Sequence, residues 1–228
     1  MNKILKLSAI ALLASSTSLM AQSKNFAGAS VGISGGMAGV EISGSSTDSS
    51  SLTTGSGSFG KITAVPSVNI NYGFEAGSNF VFGLGADYIP GEVKFGTNSF
   101  SDTSTVGSQT DSVNGKLKDI YSVYVTPTYI INKDSAVYAK LGYVHGDVNL
   151  TSASSKIVIG SYTKDLQGWT YGIGSKTMLT NNLYLTVEGT YTEFDNLTAT
   201  TTDSETNTNT NSAKPKVAQA TIGLGYKF

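Results

Sequence analysis

The chain has one histidine, His145, and Asp147 stands two residues beyond it. Residues two apart on a strand share a face, so this pair could orient an imidazole for acid or base work. No serine is spaced to join it as a nucleophile, and the pattern alone points away from catalysis. "GIGSKT" (172–177) imitates the tail of a phosphate-binding loop. That motif needs glycine directly before the lysine, where Ser175 stands, and no helix follows. "DSETNTN" (203–209) alternates oxygen-bearing side chains but lacks the glycine and twelfth-position glutamate of a calcium loop. No catalytic residue, metal site or cofactor follows from these patterns.

Five other charges, Asp87, Lys140, Lys176, Glu188 and Lys227, fall among small neutral residues inside otherwise apolar-alternating segments. Charges taken out of water need partners, so the five are expected to form an internal network. Lys176 and Glu188 should face each other across the turn at 180–182. A polar, gated path for protons or ions is the other chemistry they could serve.

The elements that must position these groups are strands. Eight segments alternate apolar and polar residues with period two, at about 26–42, 62–74, 80–94, 117–131, 136–149, 164–179, 183–195 and 216–228. Three connections are tight and rich in Asn, Asp or Gly, at 75–79, 132–135 and 180–182. Four are longer Ser/Thr/Asn/Gly tracts, at 43–61, 95–116, 150–163 and 196–215, expected to be solvated loops. Long and short connections alternate strictly. That is the plan of an all-β, eight-stranded antiparallel up-and-down barrel crossing a membrane.

Face chemistry separates a membrane barrel from a soluble one. The apolar phase contains Val68, Ile70, Leu84, Val123, Leu141, Ile173 and Val187, and the positions assigned to it carry no Asp, Glu, Lys or Arg. A lysine or arginine facing lipid near the midplane costs about 2–4 kcal/mol. The opposite phase is small and neutral, as in Gly83, Gly85, Ser122, Thr126, Gly172, Thr186 and Gly223. Such residues suit the filled interior of a narrow tube. Aromatic residues should form two girdles: Tyr88, Tyr121, Tyr143, Trp169 and Tyr191 near the long tracts, and Phe74, Phe80 and Tyr129 near the short turns. Pro127 is expected to require a bulge or irregular pairing.

Composition agrees. Charged residues are 14% of the chain, net charge is −1, and there is no cysteine. That balance offers no basic surface for nucleic acid, and closure cannot rest on disulfides. Residues 1–21 have the positive start, short apolar run and small-residue end of a signal peptide, with cleavage after Ala21 or, alternatively, Ser23. Residues 22–228 then form the barrel domain.

With these strands placed, the sequence resembles the eight-stranded outer-membrane proteins of Gram-negative bacteria, the OmpA/OmpX and opacity-type barrels. The likeness covers the whole mature chain. Its most specific part is the last strand, with Ala218, Ala220, Ile222, Leu224, Tyr226 and Phe228, and "LYLTVEGTYTEF" (183–194) looks like their penultimate strand. The resemblance implies export through the periplasm to the outer membrane, contact with its lipids and lipopolysaccharide, and recognition of Ile222, Leu224, Tyr226 and Phe228 by the barrel-assembly machinery. It implies a non-enzymatic anchor displaying four polar loops, with a small porin-like pore as the alternative. The long tracts are almost free of aromatic and basic residues, which speaks against adhesin-type binding, and no extracellular ligand is specified.

Overall fold

Period-two alternation gives each segment an apolar stripe that cannot face water, and the segments satisfy both faces by closing on one another. The computed structural model describes residues 23–48, 54–104, 107–154, 158–202 and 208–228. The expected signal segment, 1–21, lies outside them. The described strands are β1 (Gly28–Asp48), β2 (Thr54–Glu75), β3 (Phe80–Ile89), β4 (Val93–Ser104), β5 (Gly107–Asn132), β6 (Ser135–Ser154), β7 (Val158–Met178), β8 (Leu183–Phe194), β9 (Leu197–Thr202) and β10 (Thr208–Lys227). All pairings are antiparallel. They run β1-β2-β3-β5-β6-β7-β8-β10, and β10 returns to β1 to close an eight-stranded barrel. Closure leaves the wall without an edge.

The expected third and seventh strands are each followed by a second piece. β4 resumes after β3 along β5, across Pro90, Gly91 and Glu92, where Gly91 adopts φ 89°. β9 resumes after β8 along β10, and this break lies beside Pro215, which has no N–H to give to a ladder. The tracts expected to be loops are a larger departure. β1 and β2 stay paired out to Thr47↔Thr54, β4 and β5 to Ser104↔Gly107, β6 and β7 to Ala153↔Val158, and β9 and β10 to Thr202↔Thr208. Most of each polar tract is therefore a β-ribbon rising from the wall. A ribbon with water on both faces needs no apolar alternation, and threonine suits a strand. An existing ladder extends it without a new nucleation step.

Pro127 takes the irregular pairing expected of it, without a bulge. It sits opposite Phe82 of β3, and toward β6 the pairing skips Thr126 and Pro127, passing from Val125↔Leu141 to Thr128↔Tyr138 with no change of register. Register shifts between β5 and β6 lie between Ile130 and Asn132 and between Lys118 and Tyr121, where Asp119 adopts φ 49° and Asp119 and Ile120 span what Gly146 spans alone on β6. Aspartate tolerates that left-handed conformation better than most residues.

Residues of the apolar phase point out of the barrel: Ile70 is 62% exposed, Ile173 74% and Phe228 71%. All eight predicted girdle residues, Tyr88, Tyr121, Tyr143, Trp169, Tyr191, Phe74, Phe80 and Tyr129, are on this outer face. Register sets Tyr88 beside Tyr121 and Tyr143 beside Trp169 toward the ribbon end, and Phe80 beside Tyr129 toward the turns. The last two pairs meet edge-on, with ring centroids 5.4 Å and 5.2 Å apart. The barrel is apolar outside and mixed inside, the reverse of a soluble one.

The interior is layered. At the short-turn end a 3-10 turn, Ser23–Asn25, leads Phe26 and Ala27 into the lumen, where they pack with Val81, Ile130, Met178 and Tyr184. Asn25 Nδ2 donates to the Lys133 carbonyl (2.8 Å), tying this plug to the β5–β6 turn. Toward the ribbon end the inward residues are apolar again: Val40, Val65, Leu117, Ile120, Val148, Leu166 and Phe194 form one cluster. A charged layer lies between these two apolar layers.

Candidate functional site: a charged layer inside the barrel

Three of the five predicted interior charges converge. Lys140 of β6 reaches Asp87 of β3 (Nζ to Oδ2, 2.6 Å) and Glu188 of β8 (Nζ to Oε1, 3.0 Å). β5 separates β6 from β3, and β7 separates it from β8, so both contacts cross the lumen rather than one ladder. Gly172, opposite Lys140 in register, keeps the neighbouring position clear of a side chain. The lysine is 8% exposed.

Tyrosines and a serine complete the shell. Tyr138 donates to the other Glu188 oxygen (Oη to Oε2, 2.9 Å), and Ser122 donates to Asp87 (Oγ to Oδ2, 3.3 Å). The Lys140 ammonium lies 4.2 Å from the centroid of the Tyr124 ring. Each inward tyrosine folds over a glycine directly across the ladder: Tyr124 over Gly85, Tyr138 over Gly174 and Tyr184 over Gly225. A Cβ at any of these glycines would collide with the ring. Sequence reasoning passed over these tyrosines. The signal was available: Tyr124, Tyr138 and Tyr184 are out of phase with the lipid-facing aromatics, and each is matched by a glycine.

The other two charges stand apart. Lys176 does not pair with Glu188 as expected from the hairpin. Register puts Thr186 opposite Lys176 and leaves Glu188 on a diagonal, and the Glu188 carboxylate is drawn off by Lys140 and Tyr138. The Lys176 ammonium sits over the Tyr184 ring instead, 4.6 Å from its centroid. Lys227 is at the short-turn rim, where its Nζ donates to the Lys24 carbonyl at 2.6 Å, so it belongs to the plug and not to the network.

The arrangement satisfies each carboxylate with the shared Lys140 ammonium and a hydroxyl. What it can do chemically is hold four strands of the wall at fixed separation. About 140 Å³ of free space remains in the lumen, bordered by this layer, by threonines and asparagines, and by Val40, Val65, Leu117, Ile120 and Phe194 of the apolar cluster. That is room for several waters.

His145 and Asp147 are not in the lumen. They point outward at the ribbon end of β6, where the imidazole stacks against Tyr121 with ring centroids 5.0 Å apart. The structure adds Asp165 of β7 to the pair. Sequence spacing could not supply this residue, because its strand partner is fixed by register.

At the C-terminus, Phe228 N donates to the Ala29 carbonyl (3.0 Å), and its ring meets Tyr226 edge-on at 5.3 Å. Ile222, Leu224, Tyr226 and Phe228 all lie on the outer face.

Comparison with known proteins follows the same lines. The family model for the outer membrane protein beta-barrel domain matches residues 9–228. No curated protein matches the sequence. Among solved structures, the outer membrane protein OprG of Pseudomonas aeruginosa is 15% identical, with a TM-score of 0.53 over 89% of this chain and 96% of that one. The outer membrane protease OmpT of Escherichia coli is 12% identical, with a TM-score of 0.55 over 88% of this chain and 96% of that one. The attachment invasion locus protein Ail of Yersinia pestis, in complex with the heparin analogue sucrose octasulfate, is 17% identical with a TM-score of 0.43, over 88% of this chain and 99% of that one. At these identities the likeness is one of fold.

Proposed function

Because the chain belongs to the outer membrane protein beta-barrel domain family and resides in the Gram-negative outer membrane, we propose that it acts there as a closed, non-enzymatic anchor for four polar β-ribbons. The observation that carries this reading is the filling of the lumen by side chains. Lys140 is clamped by Asp87 and Glu188, with an apolar layer above and the Phe26–Ala27 plug below. An apolar constriction resists wetting, and an ion would have to pass two of them. In this reading the ribbons face the exterior and the short turns the periplasm. Lipids and lipopolysaccharide surround the girdles, and the assembly machinery reads Ile222, Leu224, Tyr226 and Phe228. Signal cleavage after Ala21 is favoured over Ser23, because Ser23 is fully buried and its carbonyl accepts from Phe26 N and Ala27 N.

Conductance of the purified protein in planar bilayers tests the closed lumen directly. The expected result is no channel activity. Steady single-channel currents that change with Lys140→Gln, but not with the lipid-facing Leu185→Ala, would establish a pore in its place.

A further inference from the structure

The charged residues on the outer face of the wall raise a different problem from those inside it. Asp147 of β6 and Asp165 of β7 are direct cross-strand partners. Like charges placed opposite each other on one face destabilise a ladder. Lys118, the other register partner of Asp147, could offset this, but its ammonium is engaged 2.6 Å from Glu92. Among the described residues neither Asp147 nor Asp165 forms an ion pair. His145 completes the group, and one ligand-capable atom from each of the three residues lies within 4.8 Å of the others. The imidazole is held from the side by the Tyr121 ring.

We propose that His145, Asp147 and Asp165 bind one divalent transition cation of the zinc type on the outer surface of the barrel wall. Three donors about 2.1 Å from a common metal are some 3–3.5 Å apart, so modest side-chain rotation closes the observed spread. One imidazole with two carboxylates suits zinc and its neighbours, whereas calcium and magnesium take oxygen ligands alone. Two negative charges and one neutral ring would then meet a dication, which removes the cross-strand repulsion. Position allows it as well. Along a strand rising about 3.3 Å per residue, His145 stands level with its register partner Tyr121 in the outer aromatic belt and Asp147 about 7 Å beyond it, at the membrane interface and in reach of water. Three protein ligands leave the remaining coordination positions open to solvent.

The test uses the full mature chain without an affinity tag, folded in detergent and stripped with chelator. As His145 is the chain's single histidine, its ¹⁵N imidazole resonances report on the site without assignment. Zinc titrated into the protein should give saturable one-to-one binding by calorimetry and a discrete change in those resonances. His145→Gln and Asp165→Asn should each weaken binding by about 100-fold or more, since even second-shell losses cost 10–100-fold. Glu193→Gln, at the same rim but paired with Lys216 and outside the group, should leave it unchanged. Both substituted residues face outward, and heat-modifiable migration verifies that the variants fold. Zinc binding that is absent, or equally strong in His145→Gln, would overturn the proposal. So would calcium binding as tightly as zinc and surviving loss of the imidazole.

Discussion

Two three-charge clusters in this barrel are mirror images in composition. Inside, one cation, Lys140, is shared by two carboxylates at 2.6 and 3.0 Å. Outside, beyond Tyr88 at the foot of a ribbon, one carboxylate, Glu92, is shared by Lys118 and Lys116 at 2.6 and 3.1 Å. The distances barely differ, yet the surroundings do. Lys140 and its partners are enclosed by tyrosines and two apolar layers, whereas the side chains of the outer cluster are 34–44% exposed. Equal geometry does not mean equal energy. Water and salt already stabilise the outer charges whether paired or not, while the inner ones have only each other.

The largest expected effect follows from breaking the inner cluster. Lys140→Met leaves two carboxylates facing each other without a cation, and loss of one partner from a buried pair typically costs about 3–5 kcal/mol. Urea unfolding of the bilayer-held protein measures it. Neutralising all three together, as Lys140→Met with Asp87→Asn and Glu188→Gln, should recover most of that loss. If the single substitution is silent, the layer is hydrated and the contrast with the outer cluster fails.

A smaller effect distinguishes two lysines within the lumen. Double-mutant cycles should give Lys140 and Glu188 a coupling in the upper part of the usual range of about 0.5–3 kcal/mol. Lys176 and Glu188 should couple less, because Lys176 is over Tyr184 and makes no ion pair among the described residues. Equal couplings would mean that the Glu188 carboxylate moves between the two lysines.

Glu92→Gln should lower the unfolding midpoint only slightly, and raising salt should shrink that difference further. A clear loss of stability would show that the ribbon base is structurally coupled to the wall.

The smallest effect is a pH dependence. Hydrogen bonds from Lys118 and then Lys116 hold the Glu92 carboxyl down to about 2, and Glu92 in turn pushes the Lys118 ammonium up. A depressed carboxyl contributes fully above the ordinary carboxylate range and loses its contribution as pH falls through about 2. Carboxyl NMR shifts of Glu92 should therefore stay ionised-like at pH 4. Titration near the unperturbed value would mean that the lysines are too mobile to hold it.

How much of this was legible in the sequence depends on what set each feature. Period two places Ile70, Leu141, Ile173 and Ile222 on one face by backbone geometry alone, and strict alternation of long and short connections sets the strand count. Partner choice inside the lumen is different. Asp87 and Glu188 meet Lys140 because strands two apart around a closed ring face each other, which no hairpin-local argument contains. The Lys176 pairing was misread for that reason. The polar tracts were misread because a solvated ribbon carries no apolar stripe to reveal it. Asp119 was missed because a bulge responds to both strands it joins, whereas Pro127 only lacks a donor and the ladder tolerates the gap.

The seam between the first and last strands has a kinetic consequence. Its pairs run from Ser30↔Lys227 to Asp48↔Asn209, and they join the two most distant parts of the described chain. Closing a loop of that length costs about 4–5 kcal/mol in chain entropy before any contact compensates. Every other wall strand can zip onto a neighbour close in sequence, so contact order concentrates at this one seam. Until it forms, β1 and β10 present complementary unpaired edges, and a second molecule offers the same edges at no loop cost. Crowding several half-folded chains together should thus favour strand exchange between molecules, and the yield of closed monomer should fall as the concentration of folding protein rises.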